Sequence, residues 1–114
     1  EQLPASNPIR KPAVDYAKRY EAKYGPGTLS LFGATAWDAM LIVEGAAREA
    51  KKKAKPGTPE FRSALRDALE NLHGFVGAEG VYNMSPTDHN GVDARSQVLV
   101  KIVDGKWELQ PDVK

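Results

Sequence analysis

The sequence predicts three helices followed by a short strand and a C-terminal β-hairpin. Three stretches, 11–23, 32–54 and 59–73, carry apolar residues at helical spacing and are separated by clusters of glycine and proline. After Gly74 the helical period ends, and short apolar runs alternate with turn residues. The helices therefore precede the strands along the chain.

Length and composition indicate one ordinary globular domain. The chain has 114 residues, of which 41% are hydrophobic. Its 16 basic and 15 acidic residues give a net charge of +1, which argues against a nucleic-acid or membrane-surface partner. The lack of cysteine excludes disulfides, thiolate metal sites and a cysteine nucleophile. With neither an initiator methionine nor a signal peptide, we expect a processed or truncated segment.

The first helix is predicted over 11–23. It cannot begin at Pro8, because Pro12 would clash with the carbonyl of Pro8 inside a regular helix. The Gly-Pro-Gly run at 25–27 ends it. Its apolar residues form roughly one stripe, made of Val14, Ala17, Tyr20 and Tyr24.

The second helix, predicted over 32–54, is the element that the others must cover. Ser30 can cap it, and its first half is apolar on almost every face, which predicts burial. Asp38 interrupts this half. A carboxylate there needs a partner, such as a backbone amide or the Trp37 indole, or it faces a cleft. A membrane span is excluded because Asp38 and Glu44 interrupt an apolar run that is already too short.

The remaining elements are one helix and three strands. Thr58 is the predicted cap of the third helix, with Pro59 at its first position. A short strand is predicted over 80–84. A hairpin follows, with strands at 97–103 and 106–109 on either side of the two-residue turn Asp104-Gly105.

The turn at 85–91 and the residues after it contain the one set of side chains that suggests a metal. Asp88, His89 and Asp93 could in principle bind a divalent cation. Their spacing matches no specific metal-binding loop, and a hydrogen-bonded turn explains them better, because Asp and Asn side chains bond their own backbone. We therefore assign no metal ligand and no cofactor.

Several motifs occur in an order that resembles a known family. They are 16–25 (YAKRYEAKYG), 32–39 (FGATAWDA), 65–70 (LRDALE), 80–93 (GVYNMSPTDHNGVD) and 103–107 (VDGKW). Together they resemble the C-terminal part of the periplasmic substrate-binding proteins of branched-chain amino acid (Leu/Ile/Val-type) ABC transporters. The resemblance covers nearly the whole chain. The SPTDHNG run resembles the subgroup whose ligands include aromatic and other small carboxylic acids.

The resemblance implies an α/β fold of the type I periplasmic binding kind, in which two lobes close on a small ligand like a hinged trap. Residues 1–95 would form part of the first lobe with its crossing segments, and 96–114 would complete the second lobe. The protein would be periplasmic and would not be an enzyme. It would present a branched-chain amino acid or an aromatic carboxylate to a membrane permease.

The resemblance also implies ligand contact at the start of the second helix. Phe32 matches the contact position, with Gly33 and Ala34 beside it; a core role for Phe32 is the alternative. A phenyl ring can pack on an apolar ligand, and a helix N-terminus favours a carboxylate. The family's main ligand-binding residues come from earlier sequence, which this chain lacks. Alone it should not form the cleft, and we expect a second copy to cover its bare apolar surface in a homodimer.

Three other functions remain open at this level. The same fold could serve as a ligand sensor in a receptor or regulator. The chain could be a free-standing α+β interaction domain with an accidental resemblance. The weakest alternative is a small hydrolase or metal enzyme that uses Asp88, His89 and Asp93.

Overall fold

The computed structural model describes residues 2–110. Glu1 and residues 111–114, which the resemblance would place in the first-lobe portion and in the second-lobe portion, lie outside the described part. The elements, in order, are α1 (Arg10–Tyr24), α2 (Leu31–Lys51), α3 (Pro59–Glu70), β1 (Phe75–Val76), β2 (Val81–Tyr82), a 3-10 turn (Ala94–Ser96), β3 (Val100–Val103) and β4 (Lys106–Leu109). This order confirms the predicted helices, short strand and hairpin, and it adds β1.

Two of the helices begin at the residues that the sequence indicates. Ser30 and Thr58 have extended backbones, and their hydroxyl oxygens accept the N–H groups of Gly33 and Phe61. The helices α2 and α3 end three residues earlier than predicted. At the end of α3, both the backbone N–H and the side chain of Asn71 donate hydrogen bonds to the carbonyl of Asp67.

The long helix α2 buries one stripe rather than nearly its whole surface. The buried residues recur every fourth position, at Ala34, Asp38, Ile42, Ala46 and Ala50. The larger apolar side chains point elsewhere: Phe32 is 84% exposed and Met40 is 69% exposed. The expectation of burial on almost every face is therefore wrong for residues 2–110, because one stripe of the helix packs against the other described elements and no described sheet covers the larger side chains.

The strands form two separate antiparallel pairs. β1 pairs with β2, and the intervening turn is closed by a hydrogen bond from the amide of Gly77 to the carbonyl of Gly80. β3 pairs with β4, and both residues of the connecting turn, Asp104 and Gly105, have positive φ. Positive φ at both positions is what a two-residue turn matched to the strand twist requires.

The hairpin is joined to the start of the chain by one side chain. The amide group of Gln2 donates to the carbonyl of Trp107 and accepts from the N–H of Leu109, at 2.9 and 2.7 Å. The segment near residues 3–7 and the segment 96–99 line the same cavity, of about 840 Å³. Within residues 2–110, none of the helices has the length and hydropathy needed to cross a membrane.

Candidate functional site

The first turn of α2 is the part of the helix that can receive an anion. The hydroxyl oxygen of Ser30 accepts the N–H of Gly33 at 3.1 Å. The other N–H groups of a first turn have no acceptor within the helix, and they concentrate the positive end of its dipole. The N-terminus of this 21-residue helix is therefore suited to a carboxylate.

The three residues expected to contact ligand have different surroundings. Phe32 is exposed and takes no part in the core formed by residues 2–110. Gly33 is partly buried, and Ala34 is buried in a cluster with Tyr16 and Ala78. Among the three, only Phe32 offers an exposed side chain, while Ala34 can offer ligand little beyond its backbone. Ligand contact at these positions remains a prediction.

Gly33 allows α1 to approach the first turn of α2 closely. A Cβ atom at Gly33 would lie 2.4 Å from the hydroxyl oxygen of Tyr16, well inside any real contact distance. Tyr16 is fixed from the other sides by the rings of Tyr20 and Trp37, whose centroids lie 5.4 and 5.7 Å from its own. The position of the first turn therefore depends on a glycine and an aromatic cluster.

Asp38 connects α2 to the turn between β1 and β2. Its carboxylate is almost fully buried and accepts the N–H groups of Ala78 and Glu79 at 2.7 and 2.9 Å, together with the hydroxyl of Tyr82 at 3.1 Å. The predicted bond to a backbone amide is confirmed, and the partners are two amides rather than the Trp37 indole. A Cβ atom at Gly77 would overlap this carboxylate, at 2.2 Å. Asp38 is thus a structural anchor.

The same carboxylate acts on the phenol of Tyr82. Burial raises the pKa of Tyr82 far above its ordinary value of 10.0, and the charges of Asp38 and Glu79 raise it further. Tyr82 therefore remains a hydrogen-bond donor to Asp38 at all ordinary pH values.

Three polar side chains that sequence reasoning did not single out lie at the first turn of α2, namely Tyr16, Thr35 and Glu79. The hydroxyl of Thr35 is 2.6 Å from Oε2 of Glu79. Oε1 of Glu79 and the hydroxyl oxygen of Tyr16 are both buried without a hydrogen-bond partner among the described residues. No sequence pattern indicates this arrangement, because Tyr16 and Glu79 are far apart in the chain.

The candidate metal ligands do not converge. Asp88 caps its own turn by accepting the N–H groups of Asn90 and Gly91, and Asp93 pairs with Arg95. The hydrogen bonds from Arg95 lower the pKa of Asp93. His89 instead lies 3.3 Å from Glu70. Residues 2–110 contain no group of three metal-ligating side chains, and the hydrogen-bonded turn is what the structure shows.

A groove of about 430 Å³ opens between α2, α3 and β2. Its walls are mainly apolar, and they include Ala39, Ile42, Val43, Leu69 and Met84. The groove adds to the exposed apolar surface of α2, which is of the kind that proteins use to contact another molecule.

Several solved structures resemble this chain over most of its length. One is an extracellular ligand-binding receptor from Rhodopseudomonas palustris, with 39% identity and a TM-score of 0.83 over 95% of this chain. Two extracellular ligand-binding receptors from strain HaA2 of the same organism have 37% and 42% identity, with TM-scores of 0.83 and 0.80. This chain covers 30% of the length of each of these structures. No protein-family model and no curated protein matches it.

Proposed function

Because this chain belongs to the extracellular ligand-binding receptors of the branched-chain amino acid binding family, with the type I periplasmic binding fold, we propose that its full-length form captures a small solute between two lobes. The membership confirms the resemblance drawn from the sequence. The observation that carries the proposal is 37–42% identity to such receptors over 95% of the chain. The three helices and the strand pairs correspond to a part of that α/β fold.

The proposed ligand is a branched-chain amino acid or a small aromatic or aliphatic carboxylic acid. The N-terminus of α2 supports this class, because its free N–H groups and dipole favour a carboxylate. The exposed ring of Phe32 lies on the same turn and can pack on the apolar part of such a ligand. Gly33 and Ala34 complete the proposed contact region; their N–H groups are bonded to Ser30, so within residues 2–110 the free N–H groups of the turn are those of Leu31 and Phe32.

The proposed role is transport rather than catalysis. A loaded receptor would deliver its ligand to the permease of an ABC transporter, in the periplasm of the cell that exports it. The lobe boundary near residue 95 belongs to the same proposal. It is supported by the cavity that segments 3–7 and 96–99 share, because two crossing segments of a hinge should run side by side.

The isolated chain should behave differently from the receptor. It exposes many large apolar side chains, including Met40 at 69% exposure, which is more than the scattered single apolar residues of an ordinary protein surface. We propose that a second copy covers them in a dimer. A monomer in light scattering at low micromolar concentration would contradict this.

Thermal shift of the full-length receptor and of this chain tests the proposal. Both are screened against branched-chain amino acids and small aromatic carboxylates. The receptor should show a saturable rise in Tm with at least one ligand, because a ligand that binds only the folded state stabilises it. The chain alone should show none, since it spans 30% of the receptor. No shift for the receptor with any of these compounds would contradict the proposed ligand class.

A further inference from the structure

Three elements meet beside the first turn of α2. The ring of Tyr16 approaches from α1 and presses its hydroxyl against Gly33. The side chain of Glu79 approaches from the turn between β1 and β2 and contacts Thr35 through Oε2. We call Tyr16, Gly33, Thr35 and Glu79 the first-turn junction.

The first-turn junction holds two buried oxygens without a partner among the described residues, Oη of Tyr16 and Oε1 of Glu79. Tyr16 is 5% exposed. Buried polar atoms of folded proteins are nearly always hydrogen-bonded, and leaving one unpaired is unfavourable. The two groups are also complementary, because a phenol carries one donor and a carboxylate oxygen only accepts.

The surroundings limit which group can satisfy each oxygen. The backbone N–H of Glu79 is bonded to Asp38, and its Oε2 lies 2.6 Å from the Thr35 hydroxyl, which is also within hydrogen-bond distance of the Leu31 carbonyl, so Oε1 is the carboxylate oxygen without a partner among the described residues. Tyr16 is confined by Gly33 and by the rings of Tyr20 and Trp37. Ala78, the residue before Glu79, packs in the same buried cluster as Tyr16, so the turn between β1 and β2 carries Glu79 to the neighbourhood of the Tyr16 ring. In agreement with this, burial, then Tyr20, then the charge of Glu79 raise the pKa of the Tyr16 phenol.

We infer that the Tyr16 hydroxyl donates a hydrogen bond to Oε1 of Glu79 once the Glu79 side chain rotates toward it, and that this pair positions the first turn of α2. Tyr16 and Glu79 are positioning residues, since neither need touch ligand. The consequence for ligand affinity rests on the function proposed above. The predicted restraint on the first turn of α2 does not rest on that function, because a hydrogen bond from α1 to the β1–β2 turn would hold the first turn of α2 between them.

Hydrogen exchange in the full-length receptor tests the restraint. Tyr16→Phe and Glu79→Gln each remove the charged hydrogen bond while nearly keeping side-chain volume. Each should speed the exchange of amides 33–38 about tenfold, as the loss of one charge-assisted bond predicts. The double variant should exchange no faster than the single ones, because the two residues act as one pair. Amides 42–50 should be unchanged.

Tyr24→Phe is the matched control, because it removes a phenol hydroxyl from the same helix at an exposed position. It should leave amides 33–38 unchanged. Spectrophotometric titration gives a second readout, in which Glu79→Gln lowers the pKa of the Tyr16 phenol by removing a nearby negative charge. Unchanged exchange in both single variants, together with an unchanged pKa of the Tyr16 phenol in Glu79→Gln, would overturn the inference.

Ligand titration then separates this inference from the proposed function. Where the wild-type receptor binds a carboxylate ligand, Tyr16→Phe and Glu79→Gln should raise Kd about tenfold with little change in Tm, whereas Tyr24→Phe should not. A fall in Tm with unchanged Kd would mean a merely structural role and would overturn the positioning claim. A wild-type receptor that binds none of the ligands contradicts the proposed function, and the exchange measurement still decides whether the pair exists.

Discussion

At the residue scale, Asp38 organises the contact between the helices and the first strand pair. Its two oxygens accept three hydrogen bonds from residues at least 40 positions later in the chain. A carboxylate on an apolar helix predicts that a hydrogen-bond partner exists. The pattern of residues in the helix does not indicate that the partner is a pair of amides 40 or more positions away. The sequence therefore predicted the need for a partner and offered the backbone amide among several choices.

Alkaline pH should weaken the fold through Tyr82. The pKa of its phenol is raised in the folded state by burial and by Asp38, while in the unfolded chain it stays near 10.0. The stabilisation is fully present below pH 10.0 and is lost as the pH rises toward the folded-state pKa, because only the unfolded state then ionises readily. Urea denaturation at several pH values should show this fall, and Tyr82→Phe should flatten it. An equal fall in Tyr82→Phe would show that another group is responsible; Tyr16, whose pKa is also raised, is the first to test.

The two glycines within α2 should respond oppositely to alanine. Gly33→Ala places a methyl group against the Tyr16 hydroxyl and should destabilise the fold by about 1–3 kcal/mol, as overpacking does. Gly45 has open space around it, so Gly45→Ala should stabilise by about 0.5–1 kcal/mol through helix propensity alone. Denaturant melts of the two variants provide the check. Equal stabilisation by both would show that the contact between Tyr16 and Gly33 is absent in solution.

At the element scale, the sequence predicted where helices begin better than it predicted which helix faces are buried. Ser30 and Thr58 mark the starts of α2 and α3 in the sequence. A hydroxyl oxygen just before an apolar periodic run can accept one of the free N–H groups of the first turn. β1 escaped prediction because two residues carry no alternation, and its pairing with β2 follows from the turn at 77–80. The exposure of one side of α2 could not be predicted from the sequence. Apolar residues indicate that a helix face tends to be covered, but they do not show whether residues 2–110 provide the cover.

Loss of the α3 cap should have a measurable effect. Thr58→Ala removes the acceptor for the N–H of Phe61 and should destabilise the fold by about 1 kcal/mol. Ser63→Ala is the matched control, because Ser63 is exposed inside the same helix and alanine is the better helix former there. A thermal melt should separate the two variants. A Thr58→Ala variant as stable as Ser63→Ala would rule out the cap as a determinant of α3.

At the whole-molecule scale, the described residues leave apolar surface uncovered and form no continuous sheet. The described residues extend over 55 × 36 × 21 Å and form two separate strand pairs rather than one sheet. In the first turn of α2, Ala34 is buried against Tyr16, whereas the side chains of Leu31 and Phe32 are 71% and 84% exposed and are covered by no other element of the described chain. The proposed ligand contact at Phe32 came only from the family resemblance, because Phe32 itself carries no distinctive sequence pattern.

The most direct test of the account is the effect of Phe32 on ligand affinity in the full-length receptor. Phe32→Ala should raise the Kd for the ligand found in the thermal-shift screen about tenfold or more, since a packed aromatic ring contributes through its buried area. Leu31→Ala, a comparable loss of an exposed apolar side chain on the same turn, should change Kd less than about twofold. Unchanged affinity in Phe32→Ala would contradict the claim that this segment brings the first turn of α2 to the ligand.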